Sequence, residues 1–164
     1  MKKIKLTQGK YTLVDDADYE WLNQWKWCVI FDSNKKWYAV RAEYIGKPGH
    51  KKRHTINMHR LIMGNPMGLQ VDHIGFTNTL DNRHSNLRIA TKSENMRNRG
   101  RQANNTSGYK GVSWSKQNKK WYAWIGFNGK THAIGHYDDI KQAATAYNQK
   151  ALELHGEFAR INKI

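Results

Sequence analysis

The tryptophans of this 164-residue chain avoid its middle third, and this distribution limits where a hydrophobic core can form. Residues 1–46 contain four tryptophans and residues 102–164 contain three, whereas residues 47–101 contain none. The middle segment instead holds eleven Lys and Arg against three Asp and Glu. A segment poor in large apolar side chains has little to bury, and clustered positive charge is typical of a surface that binds a polyanion. The pattern predicts packing units at both ends and a polar functional segment between them.

The net charge of +15 and the aromatic content of 12% narrow the class of protein. Disordered chains are usually poor in aromatic residues, so this composition indicates a folded protein. A folded, strongly basic chain most often binds nucleic acid, and the alternative is a merely solvated basic surface. The one cysteine, Cys28, excludes an internal disulfide and a cysteine-rich zinc site, and we expect a buried thiol in a reducing cytoplasm. No apolar run approaches the roughly 20 residues of a membrane span, so we expect no membrane partner.

The first 46 residues predict a small α+β unit in which the tryptophans pack. Asp15 and Asp16 can cap a short helix that holds Tyr19, Leu22 and Trp25. Runs rich in aromatic and β-branched residues predict strands at residues 11–14, 27–31 and 37–41. A loop is predicted at residues 46–50, and the basic run at 51–53 lies in or beside it, either solvated or in contact with phosphate.

Residues 108–164 show the clearest periodicity of the chain. Strand-like runs occupy residues 109–114, 121–127 and 131–137, and Asn128-Gly129 between the last two predicts a tight type I′ hairpin. Apolar residues at three- and four-residue steps predict a helix over 139–155. Asp139 and Gln142 resemble its capping box, and Gly156 is a natural stop. These elements predict a three-stranded antiparallel sheet packed on one helix.

Asp72 and His73 are the chemically most suggestive pair of the middle segment. Neighbours in a strand point to opposite faces, so the carboxylate and the imidazole can serve different partners. Asp72 offers oxygen ligands that suit Mg²⁺, and His73 can take a proton from water near neutral pH. Ser93 can cap a helix that starts near Glu94 and presents Asn95. Together these residues are the minimum set for metal-assisted phosphodiester hydrolysis, although each alone also fits a structural role.

Three stretches, in order, resemble the HNH nuclease motif of the ββα-metal group, which occurs in phage and intron homing endonucleases. They are Val71–His73, Leu80–Arg88 and Ser93–Asn98, and the preceding Met58–Ile62 resembles the lead-in of that family. The resemblance implies that His73 is the general base and that Asp72 and Asn95 bind a single divalent metal, Mg²⁺ or Mn²⁺. It also implies that Asn86 braces the loop and orients the base. The last metal position is Asn95 rather than the His of the simplest pattern, and an amide oxygen suits a hard cation.

Basic side chains beside this pattern are interpreted as phosphate contacts, with solvated surface charge as the alternative. The predicted contacts are Arg60, Arg83, Arg88, Arg97 and Arg99. His59 either packs structurally or touches the scissile phosphate, and His84 is expected at the surface or facing phosphate.

Residues 105–162 resemble the plant APETALA/ethylene-response-factor (ERF) DNA-binding domain. The resemblance rests on Ser107–Val112, Lys120–Ile125, Ile134–Tyr137, Ala143–Tyr147 and Gly156–Ala159. In that family the three-stranded sheet lies in the major groove and the helix braces it from behind. The implied groove-facing positions are Lys110, Ser113, Trp124, Gly126, Thr131 and Ala133. We predict DNA contacts from Lys110, Lys116, Trp124 and Lys130, whereas Trp121, Ile125, Ala143 and Tyr147 are expected in the core.

The combined interpretation is an α+β, homing-type DNA endonuclease that acts on double-stranded DNA as a monomer or homodimer, in the cytoplasm of a bacterial or phage-infected cell. We divide the chain into an N-terminal α+β unit (1–57), a ββα-metal HNH core (58–100), a linker (101–107) and an ERF-like domain (108–164). Two rivals stay open. One is a non-catalytic, sequence-specific DNA-binding regulator with an inactive HNH scaffold, and the other is an RNA-binding protein that uses exposed tryptophans as stacking platforms.

Overall fold

A computed structural model describes residues 1–33, 35–47, 50–75, 78–98, 100–102 and 104–164. The chain forms two compact units, Met1–Lys92 and Ser93–Ile164. The helices and antiparallel sheets confirm the predicted α+β class. Within the described ranges, no helix combines the length and the apolar character needed to cross a membrane.

The first unit consists of short strands and two short helices. Its elements are β1 (Lys2–Lys5), β2 (Tyr11–Val14), α1 (Asp16–Leu22), β3 (Cys28–Phe31), β4 (Trp37–Ile45), β5 (Lys52–Asn57), α2 (Met58–Ile62), β6 (Gln70–His73) and β7 (Leu87–Ala90). They pair as β1-β2, β3-β4-β5 and β6-β7, all antiparallel, and a 3₁₀ turn at His84–Asn86 precedes β7. The unit therefore has no single large sheet among its described residues, and packing between small sheets holds it together.

One hydrophobic core joins the N-terminal segment to the middle segment. Ile4, Val14, Leu22 and Trp27 are at most 2% exposed, and Met58 from the tryptophan-free segment is fully buried among them. Burying side chains of this size stabilises the fold by roughly 1.5–3 kcal/mol each. The prediction that the middle segment has little to bury is therefore only partly right, because α2 supplies an anchor to this core.

Several local predictions in the first unit need correction. Trp25 lies beyond the end of α1 and is 36% exposed, with the Arg41 guanidinium 4.7 Å from its ring centroid. The Asp15 side chain makes no cap hydrogen bond to α1, because its Oδ2 accepts the backbone N–H of His84. Cys28 is a free thiol and is only partly buried. Of the two positions predicted for the basic run at 51–53, in the loop or beside it, the structure shows the second, since β5 begins at Lys52.

All of helix α3 except its first residue belongs to the second unit, which also contains the predicted sheet and helix. Its elements are α3 (Lys92–Arg97), β8 (Val112–Ser115), β9 (Lys120–Phe127), β10 (Lys130–Tyr137) and α4 (Ile140–His155). Helix α3 begins at Lys92, so Ser93 lies in its first turn rather than capping it. The sheet has the order β10-β9-β8. The three-stranded sheet with one helix is confirmed.

The turn and cap residues of the second unit behave as expected. Asn128 and Gly129 have φ of 50° and 74°, the positive values that a type I′ hairpin needs. Asp139 accepts the backbone N–H of Lys141 and of Gln142, which caps α4. The core between helix and sheet contains the expected residues Ile125, Ala143 and Tyr147, each at most 2% exposed, with Trp121 partly buried against it.

Candidate nuclease site

The β6-β7 hairpin holds the residues that the sequence predicts to be catalytic. Asp72 pairs with Arg88 across the hairpin and His73 pairs with Leu87. Asp72 is 9% exposed and His73 is 4% exposed. Burying a carboxylate and an imidazole is costly unless each has polar partners, so the partners define what the site can do.

Asp72 forms an ion pair with the arginine opposite it. Arg88 Nε and Nη2 lie 3.1 Å and 2.9 Å from Asp72 Oδ2, and each side chain is only 10% exposed. Breaking a charged pair this well buried is strongly destabilising, so the two side chains are held firmly together. Arg88 was predicted to contact phosphate, and the structure places it against the carboxylate of Asp72.

His73 is held by Asn82, a residue whose role the sequence does not predict. His73 Nε2 lies 3.0 Å from Asn82 Oδ1, and Asn82 is 1% exposed. Asn82 Nδ2 donates to Thr12 Oγ1 at 2.8 Å and lies 3.5 Å from Met58 Sδ. Thr12 in turn donates its hydroxyl hydrogen to the carbonyl oxygen of Leu80 at 2.7 Å. A buried chain of hydrogen bonds therefore runs from β2 to the imidazole.

This chain determines which way the amide of Asn82 faces. The Thr12 hydroxyl hydrogen is committed to Leu80, so Thr12 Oγ1 must accept, and only the amide nitrogen of Asn82 can donate to it. The amide oxygen consequently faces His73 Nε2, which must carry the hydrogen. A neutral imidazole has one N–H, so its lone pair lies on Nδ1. The structure thus assigns Nδ1 as the basic nitrogen of His73.

Asn86 lies in the loop that joins β6 to β7. Its Oδ1 accepts the backbone N–H of Gly75 at 2.7 Å, and its Nδ2 donates to the carbonyl oxygen of Asp81 at 2.8 Å. A Cβ at Gly75 would lie 2.9 Å from Asn86 Oδ1, so a larger residue there would push the Asn86 side chain out of its present position. The resemblance implies that Asn86 both braces the loop and orients the base. In the structure its side chain bonds to Gly75 and Asp81 of the loop, whereas Asn82 contacts the base.

Two further aromatic rings pack around His73. The His59 ring lies 5.1 Å from the His73 ring, and the Tyr38 ring lies 5.7 Å and 6.1 Å from the two imidazoles. Burial, with smaller effects from His73 and Arg60, lowers the pKa of His59 from 6.5 to about 3. Burial also lowers the pKa of His73, against the opposing effect of its hydrogen bond to Asn82. Both imidazoles are therefore neutral near pH 7.

The other predicted phosphate contacts have partners within the chain. Arg83 donates from Nε and Nη2 to the two oxygens of Asp81, at 2.8 Å and 2.6 Å, and this contact lowers the pKa of Asp81. Arg60 donates to the carbonyl oxygens of Leu69 and Pro66, which braces the turn before β6. These geometries show local structural roles for both arginines, and their contact with phosphate stays a prediction.

The remaining arginines and Asn95 belong to α3 or follow it, in the second unit. Asn95 is partly buried on α3, and its role as a metal ligand stays a prediction. The Arg97 guanidinium lies 5.2 Å from the centre of the Phe127 ring. Arg99 lies outside the described residues.

Asp15, Asp18 and His84 bring potential metal-ligand atoms within 4.8 Å of one another. His84 Nε2 lies 3.0 Å from Asp18 Oδ2, and the His84 backbone N–H binds Asp15. The contact between His84 and Asp18 is an ion pair only when the imidazole is protonated, and Asp18 Oδ2 is buried without a hydrogen bond among the described residues. His84 is at the surface, as expected, with its side chain 56% exposed.

The C-terminal sheet presents one open face. The strand registers pair Ser113 with Tyr122, Gly126 with Thr131 and Trp124 with Ala133, which places the predicted positions Ser113, Trp124, Gly126, Thr131 and Ala133 on the same side. Helix α4 packs on the opposite side, against Val112, Ala123 and Ile125.

The three lysines predicted to contact DNA occupy different environments. Lys116 and Lys130 are exposed, in or beside the two hairpin turns of the sheet. The Lys110 ammonium donates to the carbonyl oxygen of Arg97 at 2.5 Å, and burial lowers its pKa to about 8. Lys110 is thus tied to the interior of its own unit, and its contact with DNA stays a prediction.

Comparison with known proteins places this geometry in a family. The HNH endonuclease family model matches residues 59–97. The chain is similar to a protein named uncharacterized HNH endonuclease L560 of Acanthamoeba polyphaga mimivirus, with 37% identity over 175 aligned positions that cover 99% of this chain and 90% of the relative. It is also similar to Protein 3.8 of Escherichia phage T7, with 40% identity over 96 residues, 58% of this chain and 78% of that protein. The matched segment contains Asp72, His73, Asn82 and Asn86, and the similarity to the mimivirus protein extends over nearly the whole chain, so the protein belongs to the HNH endonuclease family.

Proposed function

We propose that this protein is a homing-type endonuclease that hydrolyses phosphodiester bonds of double-stranded DNA with His73 as general base. The observation that supports the proposal is the buried chain Thr12–Asn82–His73, which keeps the lone pair of the imidazole on Nδ1. A structural histidine needs only a satisfied hydrogen bond. A general base needs its tautomer and its ring orientation set in advance, and that is what this chain of hydrogen bonds achieves.

In the proposed reaction, His73 Nδ1 accepts a proton from the attacking water. The hydrogen bond from Nε2–H to Asn82 Oδ1 strengthens as the ring becomes positive, because a charged donor makes a stronger hydrogen bond. The lowered pKa of His73 keeps the ring unprotonated, and so ready to accept, at neutral pH. General-base catalysis of this kind contributes about 10²- to 10⁴-fold to a rate.

The chemistry of the donor set fits a hard divalent cation. Asp72 offers carboxylate oxygen from β6, and Asn95 is the predicted amide-oxygen ligand on α3. Oxygen ligands of this kind suit Mg²⁺ or Mn²⁺ rather than a thiophilic metal. Such an ion supplies stabilisation of the negative charge that develops on the leaving oxygen. Arg88 holds the Asp72 carboxylate in one orientation, which prepares it for this role.

A cleavage experiment tests the proposal. Duplex DNA is incubated with the wild-type chain and with His73→Ala, each with Mg²⁺ and with chelator, and the products are resolved on denaturing and native gels. We expect Mg²⁺-dependent cleavage by the wild type only, with DNA binding retained by both proteins. Full cleavage by His73→Ala would overturn the role of His73. Binding without any cleavage by the wild type would favour the non-catalytic regulator instead.

We further propose that the open face of the C-terminal sheet binds duplex DNA in the manner of the ERF-type domain. What supports it is that Trp124, Thr131 and Ala133 share the face that α4 leaves uncovered, and that Lys116 and Lys130 are exposed at its ends. An antiparallel sheet can enter the major groove and contact base edges.

The chain offers a matched pair of variants to test this second proposal. Trp124→Ala removes a ring from the open face, and Trp121→Ala removes a ring that packs against the core. We expect Trp124→Ala to weaken DNA binding with little loss of thermal stability, and Trp121→Ala to lower the melting temperature. Unchanged binding by Trp124→Ala would refute the proposal.

A further inference from the structure

Strands β4 and β5 project beyond the sheet to which they belong. β3 pairs only with residues 37–40 of β4, whereas the pairing between β4 and β5 continues from Val40↔Asn57 to Ile45↔Lys52. Residues 41–45 and 52–56 therefore form a two-stranded ribbon, called the β4-β5 ribbon below. No third strand pairs with this ribbon among the described residues.

The outer end of the ribbon is exposed on both faces, whereas Ile56 at its inner end packs against the core. Tyr44 is directly opposite Arg53 on one face, and Ile45 is opposite Lys52 on the other. Tyr44 is 62% exposed and Ile45 is 57% exposed, and Lys52 and Arg53 are exposed as well. An antiparallel sheet usually packs one face on a core, so a ribbon with large side chains exposed on both faces has a surface available for a partner.

The excess positive charge of the ribbon favours a negatively charged partner. Glu43 is its one carboxylate and lies 3.6 Å from the Arg41 guanidinium. Within the described part of the chain, no ion pair neutralises Lys52 or Arg53, and Lys47 and Lys51 are exposed beside them. Clustered Lys and Arg beside an exposed aromatic ring are typical of a surface that binds nucleic acid.

The dimensions of the ribbon fit the major groove of duplex DNA. Five residues span about 17 Å, and the two strands lie about 4.8 Å apart. The major groove of B-DNA is about 12 Å wide and admits a two-stranded ribbon. β5 runs directly into α2, which carries His59 against the His73 ring. The ribbon is therefore joined through α2 to a residue that packs against the proposed catalytic base.

We propose that the β4-β5 ribbon binds a groove of duplex DNA, with Lys52 and Arg53 on phosphates and Tyr44 in contact with the sugar-base surface. This inference rests on the proposed function, since it names a second surface through which the nuclease holds its DNA. It assigns a role to a basic run whose two interpretations, solvated or phosphate-binding, the sequence alone left open.

The test measures binding of the full chain to duplex DNA by fluorescence anisotropy, in chelator and at several salt concentrations. We expect Lys52→Ala/Arg53→Ala to bind about tenfold or more weakly, and its slope of log affinity against log salt to be smaller by about 2, because each phosphate contact contributes about 0.9. The matched control is Lys3→Ala/Lys5→Ala, which removes the same charge from exposed positions on β1 of the same unit. Tyr44→Ala keeps the charge, so it is expected to weaken binding without changing the slope.

Each outcome decides the matter. An unchanged affinity and slope for Lys52→Ala/Arg53→Ala would overturn the proposal, and so would an equal loss for the β1 control, since that would show an effect of net charge alone. Tighter binding to single-stranded RNA than to duplex DNA would overturn it too. The binding measurement uses chelator and is therefore separate from the cleavage assay. If the ribbon variants bind as expected but the wild type never cleaves DNA with Mg²⁺, only the nuclease activity is refuted. If the wild type cleaves DNA but the ribbon substitutions leave binding unchanged, only the role of the ribbon is refuted.

Discussion

Replacing Asn82 by leucine tests whether the hydrogen bond to His73 serves catalysis or only the fold. Leucine has the same branched side-chain skeleton as asparagine, although its methyl groups are larger, and it cannot accept from His73 Nε2–H, which lies 3.0 Å away and is buried. An unpaired buried donor costs about 1–3 kcal/mol of stability. Without the acceptor the ring is free to adopt the other tautomer, which removes the lone pair from Nδ1. The general-base contribution limits the loss of rate to about 10²- to 10⁴-fold.

The assay is single-turnover cleavage of duplex DNA with Mg²⁺, together with thermal unfolding of each protein. We expect Asn82→Leu to lower the single-turnover rate constant at saturating protein by about 10²-fold or more while the affinity for DNA changes little, because Asn82 is only 1% exposed. Asn82→Asp keeps an acceptor for Nε2–H, so it is expected to recover most of the lost rate.

Thr79→Val is the matched control for the stability effect. The Thr79 hydroxyl is part-buried and donates to the carbonyl oxygen of Trp37, on β4, at 2.5 Å. We expect this variant to lose similar stability and to cleave at close to the wild-type rate. A folded Asn82→Leu protein that cleaves as fast as wild type would refute the reasoning. An equal loss of rate in Thr79→Val would show that general destabilisation explains the effect.

Three further outcomes follow from the geometry. Arg88→Met leaves Asp72 without its buried cation and should lower the free energy of unfolding by about 3–5 kcal/mol in urea titrations, and a loss below about 1 kcal/mol would argue against the pair. The pKa of His59 is about 3 in the folded chain and 6.5 when unfolded, so the unfolded state takes up the proton first and stability falls as pH drops below about 6.5. The wild type should therefore lose up to about 2 kcal/mol more than His59→Phe between pH 7 and pH 5, and equal losses would contradict this. A Cβ at Gly111, where φ is 72°, would lie 2.2 Å from an aromatic ring of α4, whereas a Cβ at Gly129, where φ is 74°, would point into open space. Because the two backbones are equally strained for alanine, Gly111→Ala should lower the melting temperature far more than Gly129→Ala.

Features that depend on neighbouring residues were predictable from the sequence. The Asn128-Gly129 turn, the Asp139 cap and the α4 helix follow from backbone preferences and from periodicity within a few residues. The α+β class follows from those elements, and the family follows from the order of the HNH-like stretches.

Features that depend on distant residues were not predictable in this way. The sequence does not predict the β4-β5 ribbon, because each face of its strands mixes charged and apolar residues. This mixture hides the alternation that predicts a strand. The sequence does not identify Asn82 as the partner of His73, because no local pattern distinguishes it from the polar residues around it. Its role appears only when Thr12, 70 positions earlier, lies beside it.

The sequence by itself determined the family, the local elements and the residue types that the chemistry needs, because these depend on short-range spacing. The tertiary structure alone decided how those residues are held. It brought β2 and β6 to either side of Asn82, placed Arg88 on Asp72 and left the basic run of β5 on an open ribbon. The physical reason is that hydrogen bonds and ion pairs of buried groups are set by the packing of distant segments, which no local preference encodes.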